Sequence, residues 1–253
     1  MSGHPPYFFV EPGRLADDTV KLEGPEARHL LTVRRAAPGD EVTLSDGHGS
    51  VAEARIASTG RGSVTLALVD RRTVERPRPR IEVLLGLAKT PKVDSAIRQL
   101  VELGVDAVTL FPATRSVVRW DAGQAGAARR RWEGIAQAAA QQSHRAWLPE
   151  LEGPLPLGTA AERAASQGAG LVADPGAPSA LSAVLAGWPV DPAGVWVVAG
   201  PEGGLTEAEV GLLREADAVP ATLGAQILRA ETAPIVLASI LLYHFARFER
   251  YLP

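Results

Sequence analysis

From residue 81 onward, short apolar runs alternate with stretches whose apolar residues recur at helical spacing. Residues 81–87, 107–111, 170–173, 195–199 and 221–223 are mostly apolar and rich in β-formers, which predicts strands covered on both faces. Helical spacing predicts helices over 92–103, 127–142, 159–166, 179–186, 207–216 and 233–247. In the first of these, Val93, Ile97, Leu100 and Val101 share a face, Asp94 and Arg98 are spaced to pair at i,i+4, and Gly104 ends the helix. Such alternation predicts an α/β fold, a parallel sheet with helices on both faces.

The first part of the chain has a different rhythm. Tyr7-Phe8-Phe9-Val10 reads as a strand, 25–33 as a short helical turn, and 41–45 and 50–56 as alternating segments around the turn Asp46-Gly47-His48-Gly49. Residues 63–69 supply another strand. Several short strands with one helix predict a small β-barrel. The stretch from Arg71 to Arg80, with Pro77 and Pro79 among its arginines, reads as an interdomain linker, because alternating proline and charge suit neither sheet interior. The expected domains are therefore 1–74 and 75–253.

Composition narrows the function. Apolar residues make up 46% of the 253, enough for a substantial core. No long uncharged apolar run is present, and Met1-Ser2-Gly3-His4-Pro5-Pro6 lacks the charged-then-apolar pattern of a signal peptide, so the expected location is cytoplasmic, away from membranes. With no cysteine and five scattered histidines, neither thiolate chemistry nor a metal site is expected. The net charge of −3 hides an uneven distribution, with a basic middle and an acidic end. Arg71, Arg72, Arg76, Arg78 and Arg80, and separately Arg129, Arg130 and Arg131, read as a solvated charged surface or as a phosphate footprint. Of Trp120, Trp132, Trp147, Trp188 and Trp196, most read as core.

Candidate chemistry concentrates near the end. Val195 to Ala199 runs into Gly200-Pro201-Glu202-Gly203-Gly204, and Thr206 with Glu209 spells a capping box that starts a helix at Glu207. The loop is neither a Rossmann fingerprint nor a P-loop, and Glu202 puts a carboxylate where a phosphate would sit. A cationic or zwitterionic ligand such as S-adenosylmethionine fits better, and a plain strand-to-helix turn fits equally well. Loops at the carboxyl ends of parallel strands hold ligands, which adds Lys89 to Lys92, Thr114-Arg115-Ser116 and Leu223 to Glu231. In the last, Ile227 and Leu228 are expected to line a pocket, as for an adenine ring. Arg229 and Glu231 precede a helix whose expected cap is Thr232, and His144 and Arg145 read as C-terminal capping residues.

These residues resemble the RsmE-type 16S ribosomal RNA uridine-N3 methyltransferases of the SPOUT superfamily over nearly the whole chain. The likeness lies in Arg28-His29-Leu30-Leu31-Thr32-Val33-Arg34-Arg35, Lys89, Val101 to Val105, Thr114 to Val117, Gln142 to Arg145, Gly200 to Thr206 and Leu223 to Ala233. The resemblance implies a SPOUT-type parallel sheet with a C-terminal trefoil knot, a PUA-like N-terminal barrel, and a homodimer packed through the knots. It implies S-adenosyl-L-methionine held by Ala199, Gly200, Pro201, Glu202, Gly203, Gly204, Leu223, Gly224, Ile227, Leu228, Thr232 and Ala233. It also implies a substrate of 16S ribosomal RNA or the assembled small ribosomal subunit, gripped by Arg28, His29, Arg34, Arg35, Lys89 and Arg145. For catalysis it points to Arg115 and Arg229 for orienting phosphate or base, and to Glu202 or Glu231 as proton acceptor.

The sequence departs from the family pattern at Ala225-Gln226, where Pro-Arg is usual, at Ala230, where Thr or Ser is usual, and at Gln141, where Glu is usual. Those departures motivate one rival, an RNA-binding module without catalysis. A nucleotide-dependent transferase using the glycine loop is the other.

Overall fold

The computed structural model describes residues 4–118 and 122–249, which form two compact units. The first comprises residues up to Arg76 together with Ala140–Leu148, and the second comprises Pro77–Ala139 and the chain from Pro149 onward.

In the first unit the elements are β1 (Tyr7–Phe9), β2 (Thr19–Glu23), the short helix α1 (Gly24–Arg28) continued by a wider turn over His29–Val33, β3 (Glu41–Ser45), β4 (Ser50–Gly60) and β5 (Ser63–Thr73). They pair in the order β1-β3-β4-β5-β2, with β1 parallel to β3 and the rest antiparallel. Among the described residues β1 and β2 do not pair, so this is a curled sheet rather than the closed barrel expected. Two register shifts in β4, at Glu53/Ala54 and Ile56/Ser58, bend it. The bent sheet wraps a core of Phe8, Val20, Leu44, Ile56 and Leu66, apolar members of its strands, with Leu30 added from the helical segment.

The expected hairpin between β3 and β4 is present. Asp46 closes its turn by accepting from the His48 and Ser50 amides at 2.8 and 3.0 Å. The turn has a second use that the sequence did not reveal. Residues 146–148 lie along it: Gly49 N–H donates to Ala146 O at 2.9 Å and Leu148 N–H to Gly47 O at 2.9 Å, while Trp147 Nε1 donates to Val74 O at 2.9 Å. A Cβ on Gly49, whose φ is +100°, would stand 2.6 Å from the Trp147 ring.

In the second unit β6 (Arg80–Gly86), α2 (Thr90–Leu103), β7 (Ala107–Phe111), α3 (Ala122–Gln142), β8 (Glu150–Glu152), α4 (Leu157–Ala165), β9 (Ala169–Ala173), α5 (Leu181–Ala186), β10 (Gly194–Ala199), α6 (Glu207–Glu215), β11 (Ala218–Ala221) and α7 (Ala233–His244) follow in order. The six strands are parallel in the order β11-β9-β10-β6-β7-β8. β6, β7 and β10 are buried almost throughout, as their apolar runs require. Helices α4 and α6 pack on one face through Leu84, Phe111, Ala160, Val172, Trp196, Val198 and Leu213. Helices α2 and α7 pack together, with α7 against β6 and β10.

Several expectations need correction. The last strand is Ala218–Ala221 rather than 221–223, and β8 was missed because its Glu-Leu-Glu carries charge that a buried run would not. Those charges belong to a polar network: Arg80 donates to Glu82 at 2.7 Å and Glu150 at 2.8 Å, while Arg163 donates to the buried Glu82 at 2.6 Å and to Glu152. Asp94 pairs with Arg131 of α3, not with Arg98, because it faces inward at 6% exposure while Arg98 points to solvent. Arg71 belongs to β5 and donates to Leu15 O and Asp17 O at 2.8 and 2.7 Å, so the linker is shorter than 71–80 and this arginine is structural. Helix α7 ends at His244, and Arg247 beyond it is buried, ion-paired to Asp106 at 2.9 Å and donating to Pro79 O at 2.6 Å. Trp132 and Trp196 are core; Trp120 lies outside the described residues.

Candidate active site

Strand order places the site. β6 and β10 are neighbours although far apart in sequence, and the loops leaving their carboxyl ends run side by side. The contact is tight: a Cβ on Gly86, the last residue of β6, would stand 2.7 Å from Pro201 in the loop after β10. That loop turns through Gly204 at φ +69°, with Gly204 N–H donating to Pro201 O at 2.8 Å. It ends in the expected capping box, in which Thr206 Oγ1 accepts from Glu209 N–H at 3.2 Å and Glu209 Oε2 accepts from Thr206 N–H at 2.8 Å.

The segment after β7 fastens the loop through one amide and one side chain. Glu209 Oε1 accepts from Thr114 N–H at 2.7 Å, and Arg115 Nη1 donates to Gly203 O at 3.2 Å and Leu205 O at 3.3 Å. Burial pushes the Glu209 carboxyl up, but the Thr206 and Thr114 amides outweigh it and leave it lowered. Gly203 has no room for a side chain, since a Cβ would come 2.8 Å from Arg115 Cβ.

The charged centre is a three-residue cluster. Lys92 Nζ, in the first turn of α2, lies 3.2 Å from Glu202 Oε1 and 3.2 Å from Glu231 Oε2. Arg229 Nη1 stands 4.0 Å from Glu231 Oε1 with its side chain 82% exposed. Hydrogen bonds to Glu231 and Glu202 hold the Lys92 ammonium above its ordinary pKa. Partial burial pushes the Glu202 carboxyl up, yet its own amide and Lys92 leave it lowered. Glu231 is lowered first by its own amide and then by Lys92 and Arg229. Both carboxylates are therefore ionised near neutral pH.

Residues 75–242 match the family described as RNA methyltransferase domain, and residues 22–69 match the RNA methyltransferase PUA domain. A ribosomal RNA small subunit methyltransferase E of Bacillus subtilis is 34% identical over 231 residues, covering 89% of this chain and 90% of that protein. The enzyme of the same name from Mycobacterium bovis is 33% identical over 219 residues, covering 85% and 82%. The chain belongs to the ribosomal RNA small subunit methyltransferase E family. Its fold also superposes on the crystal structure of the methyltransferase E from Neisseria gonorrhoeae bound to S-adenosyl methionine, with TM-score 0.83 and 26% identity over 95% of this chain and 98% of that one.

In this methyltransferase E family chain, the residues singled out from sequence do not all come together. Glu202, Gly203, Arg115, Glu231 and Arg229 come together at the carboxyl ends of the strands. Leu223, Gly224, Ile227 and Leu228 lie on the loop after β11, where Thr222 Oγ1 accepts from Gly224 N–H at 3.2 Å. The sheltered Ile227 that the sequence suggested is instead 85% exposed, because nothing among the described residues packs over it, while Leu228 is half-buried. Thr232 occupies the cap position of α7 with helical backbone angles and no capping bond from its side chain; Arg229 O accepts from the amides of Thr232 and Ala233 at 2.9 Å instead.

Arg28, His29, Arg34 and Arg35 form a separate exposed group on and just after the helical segment of the first unit. Lys89 is exposed beside Lys92. His144 takes a left-handed conformation at φ 54° after α3, and Arg145 N–H donates to Ala140 O at 2.9 Å, which is the helix-ending geometry expected of that pair. The sequence reading missed Lys92. Its signal was available: a lysine in the first turn of a helix, where the dipole disfavours cations, calls for carboxylate partners from elsewhere.

Proposed function

We propose that this chain methylates N3 of a uridine in 16S ribosomal RNA of the small ribosomal subunit, with S-adenosyl-L-methionine as methyl donor. The observation that carries the reading is the meeting of Lys92, Glu202 and Glu231 at the carboxyl ends of adjacent strands, in a chain of the methyltransferase E family. The donor set fits such a cofactor. The carboxylates suit a cationic or zwitterionic ligand while repelling a phosphate.

Bound there, the cofactor supplies an electrophilic methyl group on a good leaving group. The protein's work is alignment and proton removal. Arg115 holds the glycine loop through Gly203 O and Leu205 O, so its role is to fix that loop rather than to reach the RNA. Arg229, exposed beside Glu231, orients the base or its phosphate, and Glu202 or Glu231 takes the N3 proton. Arg28, His29, Arg34, Arg35, Lys89 and Arg145 are proposed to contact the RNA backbone.

The resemblance to SPOUT enzymes extends the proposal to a knotted C-terminal segment, supported by the insertion of β10 between β9 and β6 and the return of α7 against β6 and β10. A crystallographic chain trace that pulls straight from its ends would contradict the knot. A homodimer is proposed as well, because α7 is apolar on nearly all sides, with Ile235, Val236 and Ile240 half-buried and Tyr243 77% exposed. Light scattering should return twice the chain mass, and a monomer at micromolar concentration would contradict it.

Ligand binding separates this reading from a nucleotide-dependent transferase and from a non-catalytic RNA binder. In a thermal shift assay S-adenosylhomocysteine at about a hundred times its dissociation constant stabilises by about 2.7 kcal/mol, whereas ATP at the same concentration leaves the transition in place. A larger shift with ATP, or none with either, would reject the proposal.

A further inference from the structure

Three segments distant in sequence reach the same ammonium group. Lys92 sits in the first turn of α2, which follows β6; Glu202 lies in the loop after β10; Glu231 lies in the loop after β11. The loop after β11 is pinned at its start, where Thr222 bonds to Ser179 and Leu181, but beyond it Ile227 and Arg229 point into solvent and the hydrogen bonds at Gly224 and Arg229 are local. The glycine loop, by contrast, is fastened on its other side by Arg115 and Glu209. An ammonium carries three donors on a point charge and accepts carboxylates from two directions, which suits one lysine to two loops.

We propose that Lys92 is a positioning residue for methyl transfer, tying the loop after β11 to the fixed glycine loop so that Glu202 and Glu231 face the same ligand. The proposal rests on the methyltransferase reading given above. It makes α2 a third support of the cofactor site, and it makes the two loops respond together to whatever binds either one.

The groups facing Lys92 are Glu202 and Glu231, with Arg229 on the far side of Glu231 and the Lys89 backbone beside Glu202. Removing the ammonium leaves two carboxylates without their shared cation. Their pKa values then rise, so protonation sets in at higher pH than in the wild type. A lysine that only helped the chain fold would change stability and leave this titration untouched.

The test uses the full-length protein and S-adenosylhomocysteine, with calorimetric titration across acidic to neutral pH for the wild type, Lys92→Met and Lys92→Arg. Lys92→Met is expected to weaken binding about tenfold at neutral pH and to move the acidic fall-off in affinity towards neutral. Lys92→Arg is expected to restore both to within about threefold, because the charge is kept. Should Lys92→Met not fold, Lys92→Gln carries the same two readouts. Wild-type affinity and an unmoved acidic limb in the neutral variant would overturn the positioning role, as would an arginine variant as impaired as the methionine one. A wild type that binds no S-adenosylhomocysteine would overturn this proposal and the methyltransferase reading together, whereas the first two outcomes leave that reading standing.

Discussion

Replacing both carboxylates, Glu202→Gln with Glu231→Gln, is expected to lower kcat for methyl transfer about a hundredfold or more at saturating cofactor. The argument starts from the chemistry of the target atom. N3 of uridine carries a proton that must leave as the methyl arrives, and a positioned acceptor typically contributes about 10²–10⁴ in rate. Two carboxylates stand at the site and share one ammonium, so either can serve when the other is removed. Single glutamine variants should therefore lose less than the double variant, with the larger single loss marking the acceptor. Glutamine keeps the size and most hydrogen bonds, which separates proton removal from packing. The measurement is single-turnover methyl transfer to small-subunit RNA with circular dichroism to check folding. A double variant within a few-fold of the wild type would show that neither carboxylate takes the proton.

Trp196→Ala is expected to cost about 3–5 kcal/mol of folding stability. Trp196 is 1% exposed on β10, in the middle of the sheet. Its indole lies over β9, where a Cβ at Gly170 would come within 2.3 Å of the ring, and its Nε1 donates to Gly168 O at 3.0 Å. Deleting it empties a space that the parallel strands on both sides cannot close, and it orphans a carbonyl. Total stabilities of about 5–15 kcal/mol leave little after such a loss. Because β10 launches the glycine loop, cofactor affinity should fall with stability. Urea unfolding with an unchanged m-value and a much lower midpoint is the expected result, and a loss below about 1 kcal/mol would contradict the packing account.

Those two sites differ in how far the sequence foretold them. The glycine loop and its capping box were legible because each rests on neighbours in the chain: Thr206 and Glu209 bond to each other across one turn, as their spacing requires. The buried strands were legible for the same local reason. What escaped was set by partners far away. Asp94 had a suitable arginine one turn on, yet burial turned it to Arg131. The short strand β8 looked polar because its glutamates meet Arg80 and Arg163. Residues 146–148 gave no sign that they lie along the turn at Gly47 and Gly49, about a hundred residues earlier in the same unit. Lys92 lies in a loop that the sequence marks, yet nothing local says that Glu202 and Glu231 arrive from two other strands.

The family resemblance reached further than periodicity. It gathered Arg115, Glu202, Arg229 and Glu231 into one site; in the structure Lys92 joins Glu202 to Glu231, and Arg229 stands 4.0 Å from Glu231. It assigned Arg115 to the RNA, whereas the bonds from its guanidinium to Gly203 O and Leu205 O tie it to the loop. The apolar pair on the loop after β11, read from the sequence itself, had offered Ile227 as part of an adenine pocket, and that side chain stands in solvent in the single chain. At position 226 a glutamine replaces the usual arginine, so charge there contributes nothing to RNA or cofactor binding.

The most direct measurement is mass-spectrometric mapping of small-subunit ribosomal RNA from cells with and without this protein. The account predicts that one N3-methyluridine present in the parent disappears in its absence and returns when the purified protein and S-adenosylmethionine are added to the isolated RNA or subunit. An unchanged set of methylated uridines would contradict it.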